Sequence, residues 1–197
     1  MKKEEELKKV NRLISKGLFY DPNFHAFYAL KGDIHLLEGK WTKAIKSYEN
    51  AKSMARFDHT LSKEGMKTMY NKQLMGAYMK RGDWYSENNL LVEALGDYEQ
   101  VYLLKLREMD MTEIQDKLLD VIPKLHKYDI FRKYWNKFIL NTDSIRTSNL
   151  LAVHAKYKIH LKQMGIARHM LLKALNLDKN NEKAKELLQV RIFLILN

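Results

Sequence analysis

The sequence of 197 residues contains no cysteine, two prolines and eight glycines. The lack of cysteine excludes disulfides, thiolate zinc sites, iron–sulfur clusters and cysteine nucleophiles. No stretch approaches the ~20 consecutive apolar residues that a membrane-spanning helix needs. The N-terminus, Met1-Lys2-Lys3-Glu4, is not followed by the apolar core of a signal peptide. These absences predict a soluble, cytoplasmic protein.

Motifs for catalysis and for cofactor binding are also missing. There is no glycine-rich phosphate loop and no G-x-S-x-G nucleophile elbow. The seven histidines include no His-Glu-x-x-His arrangement, and His154 and His160 are six residues apart, which places them on different helix faces. The sequence therefore predicts no enzyme active site, no metal site and no cofactor.

The residues that are abundant favour helices. Apolar residues make up 46% of the chain and charged residues 30%, a balance typical of a globular protein. Leu, Lys, Glu, Met and Ala dominate, and all five are strong helix formers. Lys and Arg (35) exceed Asp and Glu (24) by 11. This excess suits contact with acidic proteins, nucleic acid or anionic lipid, and a solvated helix surface also explains it.

An internal repeat appears when the sequence is offset by 50 residues. The residues that coincide without a gap are Tyr28, Gly32, Asp33, Ala44, Tyr48 and Glu49 with Tyr78, Gly82, Asp83, Ala94, Tyr98 and Glu99. Gly32 lies in the middle of a predicted helix, where glycine costs ~1 kcal/mol relative to alanine. Close approach of two helices explains that cost, with Tyr48 filling the space that small residues such as Ala44 leave open.

The first copy predicts a helical hairpin. Asp21-Pro22 is typical of a helix start, with Asp as the N-cap and Pro at the first helical position. One helix is predicted over about 23–37 and a second over about 41–55, joined by the turn Glu38-Gly39-Lys40.

In the second copy, residues 59–74 exceed the repeat period. They predict a lengthened first helix over about 62–88. Its turn is placed at Asn88-Asn89, which keeps the 50-residue alignment, or alternatively at Arg81-Gly82-Asp83.

Two later segments extend the pattern. Thr112 with Gln115 resembles a capping box, and an apolar stripe follows it, formed by Tyr128, Phe131, Trp135 and Phe138. Towards the end of the chain, alanines and a leucine take the small and large positions of a hairpin, namely Ala155, Ala167, Leu171 and Ala174.

These features together resemble the tetratricopeptide repeat: a mid-helix glycine, a glycine-containing turn, then alanine, an aromatic residue and alanine. The resemblance implies an all-α fold, a right-handed superhelix (α-solenoid) of about four antiparallel helical hairpins in a single domain, 1–197. The implied hairpins lie at about 25–58, 62–108, 112–141 and 148–181, flanked by an N-terminal helix (3–17) and a C-terminal helix (180–194). The chain departs from the family at Lys31, Arg81 and His154, where leucine is usual.

The resemblance also implies a concave groove lined by the first helix of each hairpin. In this register the lining includes Asp33, Lys80, Asp83, Glu87, Asn149, Lys156 and His160. The family's best-known peptide site grips a C-terminal carboxylate with a Lys and Asn pattern. Because Asp33 and Asp83 stand where Asn is expected, that specificity is not expected here.

A basic segment lies between Asp143 and Asp178, which enclose no acidic residue. His154, Lys158 and Lys162 recur in it at four-residue spacing and predict a helical stripe. The stripe is either a docking patch for an acidic peptide or phosphates, or a solvated outer face.

The apolar run at the C-terminus is a poor cap for a repeat array, which needs a polar face. It comprises Ile192, Phe193, Leu194, Ile195 and Leu196. This run either folds back on the last hairpin or mediates self-association.

The leading functional hypothesis is a non-catalytic protein–protein interaction module, a scaffold or adaptor. It would bind a partner peptide or helix, acidic in character, in the groove or at the basic patch. The alternative is a nucleic-acid-associated or transcription-regulatory protein that uses its basic surface. A third class, an enzyme built on a helical bundle, has no motif in its support.

Overall fold

The structure is a computed structural model that describes residues 2–104, 110–140 and 142–195, with side chains for 5–104, 110–140 and 142–189. These residues form α-helices joined by short turns, and they contain no strand. The chain divides into two compact units, unit 1 (Met1–Ile114) and unit 2 (Gln115–Asn197). None of the helices described is both long and apolar enough to span a membrane. The single domain expected from the sequence stays a prediction, as does the right-handed superhelix.

The helices of unit 1 are α1 (Lys2–Tyr20), α2 (His25–Leu37), α3 (Trp41–Met54), α4 (Lys63–Thr68), α5 (Asn71–Glu87) and α6 (Leu91–Leu103). A 3₁₀ turn at Ala55–Phe57 follows α3. Helix α7 (Thr112–Lys124) continues into unit 2, whose other helices are α8 (Tyr128–Phe138), α9 (Ser144–His160), α10 (Met164–Leu177) and α11 (Glu182–Ile195).

A packed glycine and tyrosine hold each of the first two hairpins together. A Cβ atom built on Gly32 would lie 2.5 Å from the Tyr48 ring, and one on Gly82 would lie 2.8 Å from the Tyr98 ring. Both tyrosines are buried. The close helix approach predicted from the 50-residue repeat is therefore confirmed.

The aspartate that follows each glycine belongs to the same packing unit. Tyr48 Oη donates to Asp33 Oδ1 at 2.7 Å, and Tyr98 Oη donates to Asp83 Oδ1 at 2.8 Å. Burial of Tyr48 and its hydrogen bond to Asp33 both raise the pKa of the phenol. The carboxylate thus satisfies a hydroxyl that would otherwise be buried without a partner.

The hairpin of α9 and α10 fills the same space with different residues. Ala155 takes the place of the glycine and Leu171 that of the tyrosine, and both are buried. Leucine has no hydroxyl to satisfy, and Lys156 stands where the other hairpins have aspartate. The aspartate is absent where its hydrogen-bond donor is absent.

Each of the four hairpin turns contains one residue in the left-handed region, namely Gly39 (φ 70°), Asn89 (φ 61°), His126 (φ 56°) and Lys162 (φ 58°). The next residue closes each turn by donating its N–H to a carbonyl five residues back, as Lys40 does to His35 and Gln163 does to Lys158. The turn of the second hairpin is therefore at Asn88-Asn89, and the alternative at Gly82-Asp83 is excluded because α5 runs unbroken through it.

The predicted start of α2 is wrong. The helix begins at His25, and Phe24 at its N-cap makes no side-chain cap hydrogen bond. Asp21 Oδ1 instead accepts the N–H of Asn23 at 3.1 Å. This short Asp21–Asn23 turn uses the carboxylate that was expected to cap the helix.

The lengthened helix predicted over 62–88 is also wrong, because it is broken between α4 and α5. Tyr70 has a φ of 64°, which no α-helix allows. His25 binds both ends of the surplus segment, with Nδ1 at Tyr70 Oη and Nε2 3.1 Å from Asp58 Oδ2. These contacts hold the segment against the start of α2 instead of extending α5.

Arg81, which departs from the family's leucine, forms a bidentate ion pair within the second hairpin. Its Nε and Nη2 donate to the two carboxylate oxygens of Asp97 at 2.8 and 2.7 Å. The Asp97 side chain is 6% exposed and that of Arg81 18%. A third donor, Nη1, reaches Thr42 Oγ1 on α3. The guanidinium thus ties the second hairpin to the first.

In unit 2, α8 packs through the predicted apolar stripe. Phe131, Trp135 and Phe138 are buried, whereas Tyr128 at the first position of α8 is 38% exposed. The predicted capping box at the start of α7 is not formed. The N–H of Thr112 donates to Asp110 Oδ1, and Gln115 Oε1 accepts from Arg146 instead.

Candidate functional site

Helices α7, α9 and α11 line a narrow groove in unit 2. Its polar lining is Asp116, Asp120, Lys124, Lys156, His160 and Lys183. We call this surface the unit 2 groove. Sequence reasoning placed Lys156 and His160 on a groove, and the structure puts both of them here.

Asp120 is the centre of the groove's ion pairs. Lys124 Nζ lies 2.6 Å from Asp120 Oδ2, and Lys156 Nζ lies 3.1 Å from Oδ1. Burial acts to raise the pKa of Asp120, but the hydrogen bonds from the two lysines outweigh it and hold the pKa below its usual range. Asp120 is therefore a carboxylate that fixes two ammonium groups side by side.

The second carboxylate of the groove, that of Asp116, is paired with an arginine and not with a lysine. Arg146 Nη1 donates to Asp116 Oδ1 at 2.8 Å, and the Arg146 side chain is 14% exposed. The lining thus holds three lysines and, besides the Arg146-paired Asp116, one aspartate that contacts two of them, so the groove carries a positive excess. Across the described residues, no group of three His, Asp or Glu side chains is placed to hold a metal ion. The groove thus presents lysine ammonium groups beside ion-paired carboxylates.

Asn149 was predicted to line the groove, and the structure gives it a different contact. Its Oδ1 accepts from Asn181 Nδ2 at 3.1 Å. Buried Asn181 also donates to Ser148 Oγ and accepts the N–H of Ala184 at the start of α11. Asn149 thus helps to fix α11, the helix that supplies Lys183 to the groove.

The remaining predicted lining residues lie in unit 1. Asp33 and Asp83 accept the tyrosine hydroxyls described above. Lys80 and Glu87 are exposed on α5. A role for these four side chains in partner binding stays a prediction.

The predicted basic stripe of His154, Lys158 and Lys162 is not continuous. Helix α9 ends at His160, and Lys162 takes the left-handed position of the following turn. His154 is partly buried, and Lys158 Nζ lies 5.6 Å from the centroid of the Tyr157 ring. Lys162 therefore does not continue the face that His154 and Lys158 share, and the part of the three side chains in binding stays a prediction.

His154 packs in an aromatic cluster formed by α8 and α9. Its ring centroid is 4.4 Å from that of Trp135, 5.4 Å from Phe131 and 5.9 Å from Tyr157. Burial, and to a smaller extent the charge of Lys158, lowers the pKa of His154 to about 4. The imidazole is therefore neutral at physiological pH and acts as a packing residue, as the family's leucine would.

We expect unit 2 to lose stability as the pH falls from 7 to 5. The folded pKa of His154, about 4, lies below the ordinary value, so the unfolded chain takes up the proton first and is favoured as the pH falls. The expected loss of unfolding free energy is about 1–2 kcal/mol. Urea unfolding at both pH values measures it.

The matched variants for this experiment are His154→Leu and His169→Gln. His154→Leu should remove most of the pH dependence between 5 and 7. His169→Gln changes a residue that is exposed on α10, so this variant should leave the pH dependence unchanged. Equal pH dependence in wild type and His154→Leu would show that His154 is not the titrating group.

A cavity of about 350 Å³ opens beside this cluster, between α8 and α9. Tyr128, Trp135, His154 and Tyr157 form its walls, and charged side chains stand at its rim. We call it the aromatic pocket. Sequence reasoning assigned Tyr128 and Trp135 to an apolar stripe and His154 to the basic stripe, and it missed the pocket. The available signals were the exposed start of α8 and the three-residue spacing of His154 and Tyr157.

The groove residues that sequence reasoning missed are contributed by α7 and α11. Asp116, Asp120 and Lys124 follow one another at four-residue spacing on α7, which places them on one face. That spacing was readable from the sequence. The position of Lys183 was not, because it depends on how α11 packs against α9.

Comparisons with known proteins were made by sequence and by structure. No protein-family model matches the chain, and no curated protein matches it significantly. Solved structures do match. A chain of the APC/C hetero-tetramer Cut9-Hcn1 is 18% identical, with a TM-score of 0.49 over 94% of this chain. The present chain spans 39% of the length of that protein.

Two further structures are similar. BtubC (BKLC) from P. vanneervenii is 17% identical, with a TM-score of 0.50 over 89% of this chain and 72% of its own. YrrB, a TPR protein with an unusual peptide-binding site, is 13% identical, with a TM-score of 0.37 over 89% of this chain and 97% of its own. At these identities the likeness to BtubC shows the fold. The chain has the all-α, tetratricopeptide-like helical-repeat fold that its sequence predicts.

Proposed function

We propose that the protein is a non-catalytic protein–protein interaction module whose unit 2 groove binds an acidic segment of a partner. The observation that carries the proposal is the set of three lysines in the groove, Lys124, Lys156 and Lys183, of which the first two share the Asp120 carboxylate. Asp120 fixes two of these ammonium groups, so a partner carboxylate would meet donors that are already in place.

The second candidate, binding of nucleic acid, is less well supported by the described basic residues. Arg146, one of the cations that gave the basic segment its charge, is paired with Asp116 of α7 and is not one of the three lysines of the groove. This pair removes charge from the surface that would meet phosphates. The groove is also narrow, which suits a single extended chain better than a duplex.

Fluorescence anisotropy with labelled oligoglutamate and oligolysine peptides at low salt tests the proposal. The oligoglutamate peptide should bind, and the oligolysine peptide should not. The double variant Lys156→Gln/Lys183→Gln should weaken oligoglutamate binding about tenfold, because two of the three cations of the groove are lost.

The control is Lys43→Gln/Lys46→Gln, which removes the same charge from two exposed lysines of α3. It should bind oligoglutamate like the wild type. Equal weakening in both double variants would show that net charge, not the groove, attracts the peptide. If oligo(dT) binds with a steep salt dependence and oligoglutamate does not, the nucleic-acid function replaces this one.

A further inference from the structure

The aromatic pocket of unit 2 is a half-open cavity in which Trp135 and Tyr157 are buried and Tyr128 is partly exposed. The Tyr157 ring centroid lies 5.4 Å from that of Tyr128 and 4.3 Å from that of Phe131. Trp135 is 8% exposed and Tyr157 6%. These rings contact one another and expose little of their faces, whereas successive bases of a single strand stack on exposed faces. A volume of about 350 Å³ accommodates one large side chain.

The charges at the rim of the pocket disfavour a cation and favour acidic neighbours. Arg132 and Lys158 are cations, and Asp129 is the carboxylate. Arg132 Nη2 lies 4.0 Å from Asp129 Oδ1, so these two charges offset each other and Lys158 remains. Neutral His154 adds no charge. A methylated ammonium group would meet repulsion here, whereas a neutral ring flanked by carboxylates would be attracted.

The pocket and the unit 2 groove meet at one shared residue. Tyr157 lines both. Lys156 and His160, on α9, belong to the groove, and His154 and Lys158, on the same helix, belong to the pocket. A segment held in the groove can therefore place a neighbouring side chain in the pocket by crossing α9 at Tyr157.

We propose that the aromatic pocket binds an aromatic side chain of the same acidic partner segment that occupies the unit 2 groove. The inference rests on the proposed function, because the groove supplies the segment that carries the ring. The pocket then determines specificity: oligoacidic chains without an aromatic residue bind through charge alone, and those with one gain a buried anchor.

The test compares two labelled oligoglutamate peptides, one with a central tryptophan and one with a central alanine. Wild-type protein should bind the tryptophan peptide about tenfold more tightly. Asn136→Trp places a bulky side chain at an exposed position that lines the pocket. It should abolish the preference without changing affinity for the alanine peptide. Asn50→Trp, an exposed position on α3, is the control and should keep the preference.

A second variant, Tyr128→Ala, removes the most exposed wall of the pocket and should lose the same preference. Equal binding of both peptides by the wild type overturns the inference and leaves the groove proposal intact. A preference that survives in both pocket variants also overturns it. If neither peptide binds in a manner that depends on Lys156 and Lys183, the proposed function itself fails. Displacement of the tryptophan peptide by oligo(dT) would assign the pocket to nucleic acid instead.

Discussion

Replacing Gly32 with alanine is expected to destabilise unit 1 by about 2 kcal/mol, although alanine is the better helix former. The new Cβ would lie 2.5 Å from the ring of Tyr48, which is fully buried and cannot move aside without disturbing its neighbours. Those neighbours are the core residues Ala44, Ile45, Leu74 and Ala77. Urea unfolding followed by far-UV circular dichroism measures the change.

Two other glycines provide controls for this substitution. Gly76 and Gly96 lie within α5 and α6, and a Cβ at either would meet nothing within 4 Å. Gly76→Ala and Gly96→Ala should therefore stabilise the protein by up to about 1 kcal/mol through helix propensity alone. A Gly32→Ala variant as stable as these two would contradict the packing described for the first hairpin.

The hairpin of α9 and α10 suggests a second substitution that should restore part of the stability lost in Gly32→Ala. There the same space is filled by Ala155 and Leu171. The double variant Gly32→Ala/Tyr48→Leu should therefore lose less stability than the sum of its two single variants, by about 1–2 kcal/mol. Additive single effects would show that the two positions do not share one space.

Removing the carboxylate of Asp97 is expected to cost about 3 kcal/mol of unfolding free energy. Asp97→Ala leaves the Arg81 guanidinium, which is 18% exposed, without its bidentate partner. The guanidinium remains between the rings of Tyr78 and Tyr85, with its central carbon 5.6 and 5.7 Å from their centroids. Chemical denaturation of the purified variant checks the prediction.

Two matched variants separate this ion pair from an exposed one. In the first repeat, Lys31 and Ser47 occupy the positions of Arg81 and Asp97. Arg81→Lys/Asp97→Ser should therefore recover part of the stability lost in Asp97→Ala. Asp129→Ala removes an exposed partner 4.0 Å from Arg132 and should cost no more than about 0.5 kcal/mol. If Asp97→Ala costs as little, the buried pair contributes no more than surface charge does.

The hairpins could be predicted because the residues that pack against each other in them are close together in the sequence. Gly32 and Tyr48 are 16 residues apart in one hairpin, and Gly82 and Tyr98 repeat the same spacing. A mid-helix glycine costs free energy that only a close neighbour explains. Sequence and packing therefore agree, and the second turn at Asn88-Asn89 follows from the same alignment.

The break between α4 and α5 could not be predicted, because its cause lies elsewhere in the chain. The segment has ordinary helix formers and no proline. His25, more than 30 residues away from Asp58 and more than 40 from Tyr70, holds both of them. These distant contacts outweigh local propensity at Tyr70.

The candidate site was predicted in part for similar reasons. Lys156 and His160 share one face of α9, and helical spacing alone places them together. Lys162 was assigned to a stripe because neither glycine nor proline marks the end of α9, and a lysine takes the left-handed turn position instead. Lys183 and Asp120 reach the groove from other helices, so only the tertiary packing brings them together. The apolar run Ile192–Leu196 lies outside the described side chains, and its role in self-association stays a prediction.

An amide chemical-shift titration by NMR tests most directly whether an acidic partner segment binds in the unit 2 groove. The ligand is the oligoglutamate peptide with a central tryptophan. Binding in the groove predicts saturable shifts concentrated on α7, α9 and the start of α11, with Lys156, Tyr157, His160 and Lys183 among the largest. Shifts spread over the exposed lysines of unit 1, or no saturable shift at all, would contradict it.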